Sequence, residues 1–180
     1  MYIAIIAIAV IAVAVVAWAI STSNRLKVLL VKIKEADSGI DVALTKRYDT
    51  LTKLMDVVRA YAKHEIDTLS QIVKLRSSMN LAEKAETARQ LDVLTDKIRV
   101  VAEGYPELRS SENYRMLQDA ILDSEDHLQA ARRIYNMNVS SFNQAIVQFP
   151  TSVIASSNNY AALLFFESDE PARSDVKINL

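Results

Sequence analysis

Hydrophobic positions along the chain follow two regimes. Every residue from Met1 to Ile20 is apolar, and the first charge is Arg25. Beyond that point apolar residues recur at spacings of three and four, the period of one helix face. The opening run predicts a transmembrane helix, because twenty helical residues at about 1.5 Å each span roughly 30 Å, the thickness of a hydrocarbon core. Its six Ile and four Val favour insertion by roughly 3–6 kcal/mol, with Ala adding little. Tyr2 and Trp18 stand near the two ends, where aromatic rings suit the membrane interface. A cleaved signal peptide is the rival reading, since Ala17-Trp18-Ala19 has the small-x-small look of a cleavage site. The run has no Lys or Arg before it and exceeds the usual length of about 7–15 residues, which favours an uncleaved anchor. Arg25, Lys27, Lys32 and Lys34 form a basic flank after it, and the positive-inside rule turns that flank toward the cytoplasm.

Three further stripes follow. Leu44, Tyr48, Leu51, Met55, Val58 and Ala62 form the first, continued by Ile66, Leu69 and Val73. Leu81, Ala85, Ala88, Leu91, Leu94, Ile98 and Val101 form the second. The third runs from Tyr114 through Leu117, Ile121, Ser124, Leu128, Ala131, Tyr135, Val139, Phe142 and Ile146 to Phe149. Extra steps of four at 62→66 and 135→139 act as stutters, so these seams need not supercoil evenly. Helices are predicted near 22–37, 40–78, 81–103 and 110–148. Ser38-Gly39 is a candidate break with Asp41 as N-cap; alternatively one helix runs unbroken from the membrane to about Ser78. Ser77–Asn80 and Gly104-Tyr105-Pro106 turn the chain, and Ser110 or Ser111 can cap the last helix. Short connections between long helices predict an all-α protein, an N-terminal transmembrane helix followed by an antiparallel up-down bundle. The expected organisation is 1–21 transmembrane, 22–166 bundle and 167–180 tail. Tyr160–Phe166 reads as a short helix closing the bundle, or as a membrane or partner contact through Phe165 and Phe166. Ser168–Asp175 reads as a mobile tail, and Val176, Ile178 and Leu180 alternate like a strand too short to stand alone.

Composition narrows the field. Of 180 residues, 51% are hydrophobic and 24% charged, with two Gly, three Pro and no Cys. So few Gly and Pro argue against turn-rich β folds and against low-complexity disorder. Without Cys there is no disulfide, thiolate metal site or Cys nucleophile. A net charge of −1 makes no case for nucleic-acid binding.

Catalytic patterns are missing. A carboxylate-bridged dimetal bundle needs Glu-x-x-His on two helices, but Tyr61 and Ser124 precede His64 and His127 at that spacing. His64-Glu65 does not begin a zinc helix, because position 68 is Thr. Asp123 and His127 fit an ordinary i,i+4 surface pair. No phosphate-cradling loop or nucleophile elbow occurs. No catalytic, metal or cofactor-binding residue is therefore assigned. One polar stripe stands out: Glu125, Arg132, Asn136 and Asn143 step by 7, 4 and 7 on one helix face. Asn lowers helix propensity in an interior, and amides near a core must be hydrogen-bonded. Asp41, Arg47, His64 and Glu65 could supply partners, giving a buried polar network that sets register, or a ligand or partner site. Otherwise Lys46-Arg47 and Arg132-Arg133 read as solvated faces.

Several stretches resemble the LemA family of bacterial membrane proteins. They are Ile40-Asp41-Val42 with Lys46-Arg47-Tyr48-Asp49, Tyr61-Ala62-Lys63-His64-Glu65, and Ala102-Glu103-Gly104-Tyr105-Pro106-Glu107-Leu108. Glu125, Ala131-Arg132-Arg133-Ile134-Tyr135-Asn136, Asn143 and Phe149-Pro150 complete the set, so the resemblance covers nearly the whole chain. Asp41, His64, Glu65, Glu125, Arg132, Asn136 and Asn143 match family motif positions. The family often carries Pro three residues after the Asp matched by Asp49, where this chain has Thr52, which favours a continuous helix there. The resemblance implies one N-terminal membrane helix, a cytoplasmic helical bundle and no established enzymatic activity. The expected protein is a non-enzymatic, single-pass protein of the bacterial inner membrane, N-terminus outside. It contacts lipid through residues 1–21 and self-associates as a scaffold. An anchored adaptor for another protein is the alternative, and a membrane-bound hydrolase a more distant one. No cofactor or nucleic acid is expected.

Overall fold

The computed structural model describes residues 2–63 and 79–166. His64, Glu65, the later part of the first stripe (Ile66, Leu69, Val73) and the 167–180 tail lie outside the described residues. Among the described residues, five helices carry the fold: α1 (Tyr2–Arg59), α2 (Leu81–Glu103), α3 (Pro106–Ser110), α4 (Glu112–Val147) and α5 (Thr151–Ser157).

α1 is one helix of 58 residues. It runs through Ser38-Gly39 without a break, so Asp41 is an interior residue rather than an N-cap. Thr52, where a Pro would interrupt the backbone ladder, instead donates its hydroxyl to the Tyr48 carbonyl at 2.9 Å, a bond compatible with helix. The helix ends well short of Ser78, in a turn closed by the Tyr61 amide on the Val58 carbonyl at 2.9 Å. Its two ends behave differently. From Tyr2 to Trp18 every residue is exposed, Ile3 at 84%. From Thr22 onward one face is buried, through Leu26, Ile33, Ala36 and Ile40 to Leu44, Leu51, Leu54 and Val58.

α2 begins with a capping box. The Asn80 side chain accepts from the Glu83 amide (3.0 Å), and the Glu83 carboxylate accepts from the Asn80 amide (2.8 Å). This satisfies two of the orphan donors at the helix start. Pro106 starts α3 at a position where its missing N–H costs nothing. The helix expected over 110–148 is α4, and the short α3 precedes it, separated by Ser111. Ser111 accepts from the Tyr114 amide at 3.3 Å, as an N-cap should. α4 stops at Val147, three residues before Pro150, so Phe149 falls off the stripe and stands 85% exposed. Tyr160–Phe166 is not helical; the helix of this region is α5, and the chain from Tyr160 to Phe166 has no regular secondary structure.

The chain forms two compact units. The first joins α1 up to Val42 with α4 from His127 and the chain on to Phe165. There Asn138 donates to the Lys32 carbonyl at 3.1 Å. A shallow pocket brings Glu35 and Gly39 beside Ala131 and Ile134. Residue numbers rise on α1 as they fall on α4, so the helices are antiparallel. The second unit contains α1 from Ala43, α2, α3 and α4 up to Asp126. Arg47 of α1 reaches Asp92 of α2. Seven residues on, Leu54 shares a small cavity with Thr95 and Arg99 of α2 and with Gln118 and Ile121 of α4. Within this unit α2 therefore runs in the same direction as α1, and α4 runs against both.

Candidate functional site

The second unit holds a buried cation. Arg47 occupies the inward face of α1 between Leu44 and Leu51 and is only 2% exposed. Its Nη2 lies 2.6 Å from Asp92 Oδ1 on α2 and 3.8 Å from Glu125 Oε2 on α4. One guanidinium thus ties three helices. Its Nε is buried without a hydrogen-bond partner, so the planar fork is only partly used. Next to it, exposed Lys46 meets Asp123 at 2.7 Å. The expectation of a solvated Lys46-Arg47 pair fails for Arg47 because α1 buries every third or fourth residue here, and position 47 falls on that face. Lys84 and Thr87 likewise lie on the buried face of α2. Sequence reasoning missed both, although each stands one residue before a member of the second stripe, Ala85 and Ala88.

The polar stripe of α4 divides between the units. Glu125 serves Arg47. Asn143 serves a different purpose in the first unit. Its Nδ2 donates to the Leu163 carbonyl and its Oδ1 accepts from the Leu163 amide, both at 2.9 Å. The side-chain amide thus pairs with both backbone groups of Leu163, holding this irregular segment against α4. Tyr135 adds a hydroxyl donated to the Leu164 carbonyl at 3.3 Å. Tyr160 packs edge-on against Phe142, with ring centroids 5.7 Å apart, a favoured aromatic geometry. Arg132, Asn136 and Asp41 are half-buried and each engages a partner. The Asn143 amide is satisfied by backbone, not by Asp41 or Arg47.

Tyr114 has a displaced titration. Burial pushes its phenol above the ordinary tyrosine value; Arg109, Arg99 and the amide donated by Gln118 (2.7 Å) oppose that rise, and Glu103 reinforces it. Among the described residues no group of three or more His, Cys, Asp or Glu is placed to hold a metal ion. Phe166 is buried, at 3% exposure, and Phe165 is 46% exposed. The expected aromatic contact pair is therefore split, with only Phe165 accessible. Tyr2, Trp18 and the basic flank of Arg25, Lys27, Lys32 and Lys34 are all exposed. The helix bearing them is long and apolar enough to cross a membrane.

Comparison with known proteins identifies the family. Protein LemA of Metamycoplasma hominis is 31% identical over 150 residues, covering 81% of this chain and 68% of that protein. Magnetosome protein MamQ of Magnetospirillum gryphiswaldense is 24% identical over 76 residues, covering 42% of this chain and 28% of its own length. The LemA family profile matches residues 36–180, which takes in the Arg47 centre, the Asn143 clamp and all of α2 to α5. The chain belongs to the LemA family, as a membrane-associated helical protein with an apolar N-terminal helix.

Proposed function

We propose that this protein is a non-enzymatic, single-pass scaffold that self-associates at the bacterial inner membrane, N-terminus outside and the packed helices in the cytoplasm. The observation that carries this reading is the continuity of α1. The same unbroken helix presents an apolar, uncovered segment at one end and a packed seam at the other. Because the span and the packed seam belong to one helix, association of the spans brings the packed helices of neighbouring copies together. The span is rich in Ala, at positions 4, 7, 9, 12, 14, 17 and 19, and small residues let membrane helices approach closely. The basic flank Arg25 to Lys34 supports the orientation.

The test is the mass of the intact protein in lipid nanodiscs. A discrete multiple of the 20.1 kDa chain is expected; a monomer at all concentrations would overturn the scaffold. An adaptor role is the second reading, favoured by Leu164 and Phe165, which remain 79% and 46% exposed on the docked segment. Pull-down with Phe165→Ala tests it: a lost partner supports the adaptor, and an unchanged set removes that surface from consideration.

A further inference from the structure

α4 and α1 are antiparallel in the first unit, with Asn138 bonded to Lys32. At equal rise per residue, Val147 at the end of α4 comes level with roughly Ser23 of α1. Burial along α1 supports this register: everything from Tyr2 to Trp18 is exposed, and the first buried residue is Thr22. The elbow between α4 and α5 therefore sits where the apolar span ends.

That elbow is unusually apolar on its outer side. Val147 is 73% exposed, Phe149 85% and Val153 58%. They lie within a stretch from Ile134 to Phe166 that contains no Asp, Glu, Lys, Arg or His, in a chain of which 24% is charged. On α1, exposed Arg25 and Lys27 stand at the same level, where long cationic side chains can lie along apolar surface and reach lipid phosphates. Exposed aromatic and aliphatic side chains beside a membrane-spanning helix, free of charge and flanked by basic residues, fit the interfacial layer of a bilayer.

We propose that the α4–α5 elbow is a second membrane contact, with Val147, Phe149 and Val153 resting in the lipid interface that α1 crosses. The occupant is lipid rather than a second copy, because the patch lies level with the end of the span. A helix anchored at one point can swivel; a second contact beside it fixes the tilt of the first unit against the membrane. The proposal rests on α1 spanning the bilayer, and the test separates the two.

Trp18 is the chain's one tryptophan. Full-length protein is placed in nanodiscs containing phosphatidylcholine brominated near the headgroup end of its acyl chains. Quenching of Trp18 in the unaltered protein reports the span; no quenching there would overturn the anchor itself. The double variant Trp18→Phe, Phe149→Trp then reports the elbow, and Val153→Trp in the same background repeats it at a second site. With Trp18 quenched, blue-shifted emission at position 149 that loses intensity to the brominated lipid is the expected result. Solvent-like, unquenched emission would overturn the proposal, and so would blue-shifted but unquenched emission, which would mean that protein covers the elbow. Trp18→Phe, Val42→Trp is the control, at an exposed position about 28 Å further along α1, and stays unquenched.

Discussion

Arg47 shows how one residue can oppose its surroundings. A guanidinium 2% exposed among leucines is tolerable only because Asp92 and Glu125 meet it from two other helices. Asp92→Asn removes the closer charge and should cost about 1.5–3 kcal/mol, the range for hydrogen bonds to charged groups, in denaturant unfolding followed by circular dichroism. Arg47→Met removes the buried charge yet keeps most of the volume, so it should destabilise no more than Asp92→Asn. A larger loss would mean that the cation does more than balance its own burial. Tyr114 makes a pH prediction. Its folded pKa is raised, so the unfolded chain loses the proton first as pH climbs. The contribution to stability is complete below about pH 10 and is lost as pH rises from there through the folded value. Tyr114→Phe should flatten that alkaline decline and leave the neutral range unchanged in shape.

At the scale of elements, α1 matters most, and Gly39 is its weak point. A Cβ built there meets nothing within 4 Å, so nothing in the packing demands glycine. Gly39→Ala should stabilise the protein by about 0.5–1 kcal/mol through helix propensity, read as a raised unfolding midpoint. A loss of stability would indicate that α1 must bend at this point. The docked segment after α5 depends on Asn143. Asn143→Ala leaves the amide and carbonyl of Leu163 without their side-chain partners, at a cost of about 1–3 kcal/mol. Hydrogen exchange at Leu163 should accelerate while α4 stays protected. Equal acceleration in both would mean that the segment and the helix open together. The stripes foretold α2 and most of α4 because periodicity reports which face is buried. They did not foretell the irregular course of Tyr160–Phe166. An apolar run of seven carries no period of its own, and its backbone is held by a side chain twenty residues earlier in the sequence.

For the whole molecule, the question is which way it faces. The chain has no Cys, so a single Val42→Cys, at an exposed site, gives a unique label. Modification in intact cells by a permeant maleimide, and by an impermeant one only after the cells are opened, is the expected outcome. Labelling of intact cells by the impermeant reagent would reverse the orientation and leave the anchor in place.

The sequence by itself determined the helical class, the apolar N-terminal helix and the family. Each depends on local quantities: residue spacing, unbroken hydropathy and short motifs such as Tyr135-Asn136 and Phe149-Pro150. Even the Asn80–Glu83 capping box is legible as Asn-x-x-Glu. Tertiary structure alone decided that Arg47 lies inside while Lys46 lies out, and that α1 continues through Ser38-Gly39. It also decided that the polar stripe of α4 serves two separate purposes. Those outcomes turn on which helices face a given side chain, and a one-dimensional pattern of spacing does not contain that information.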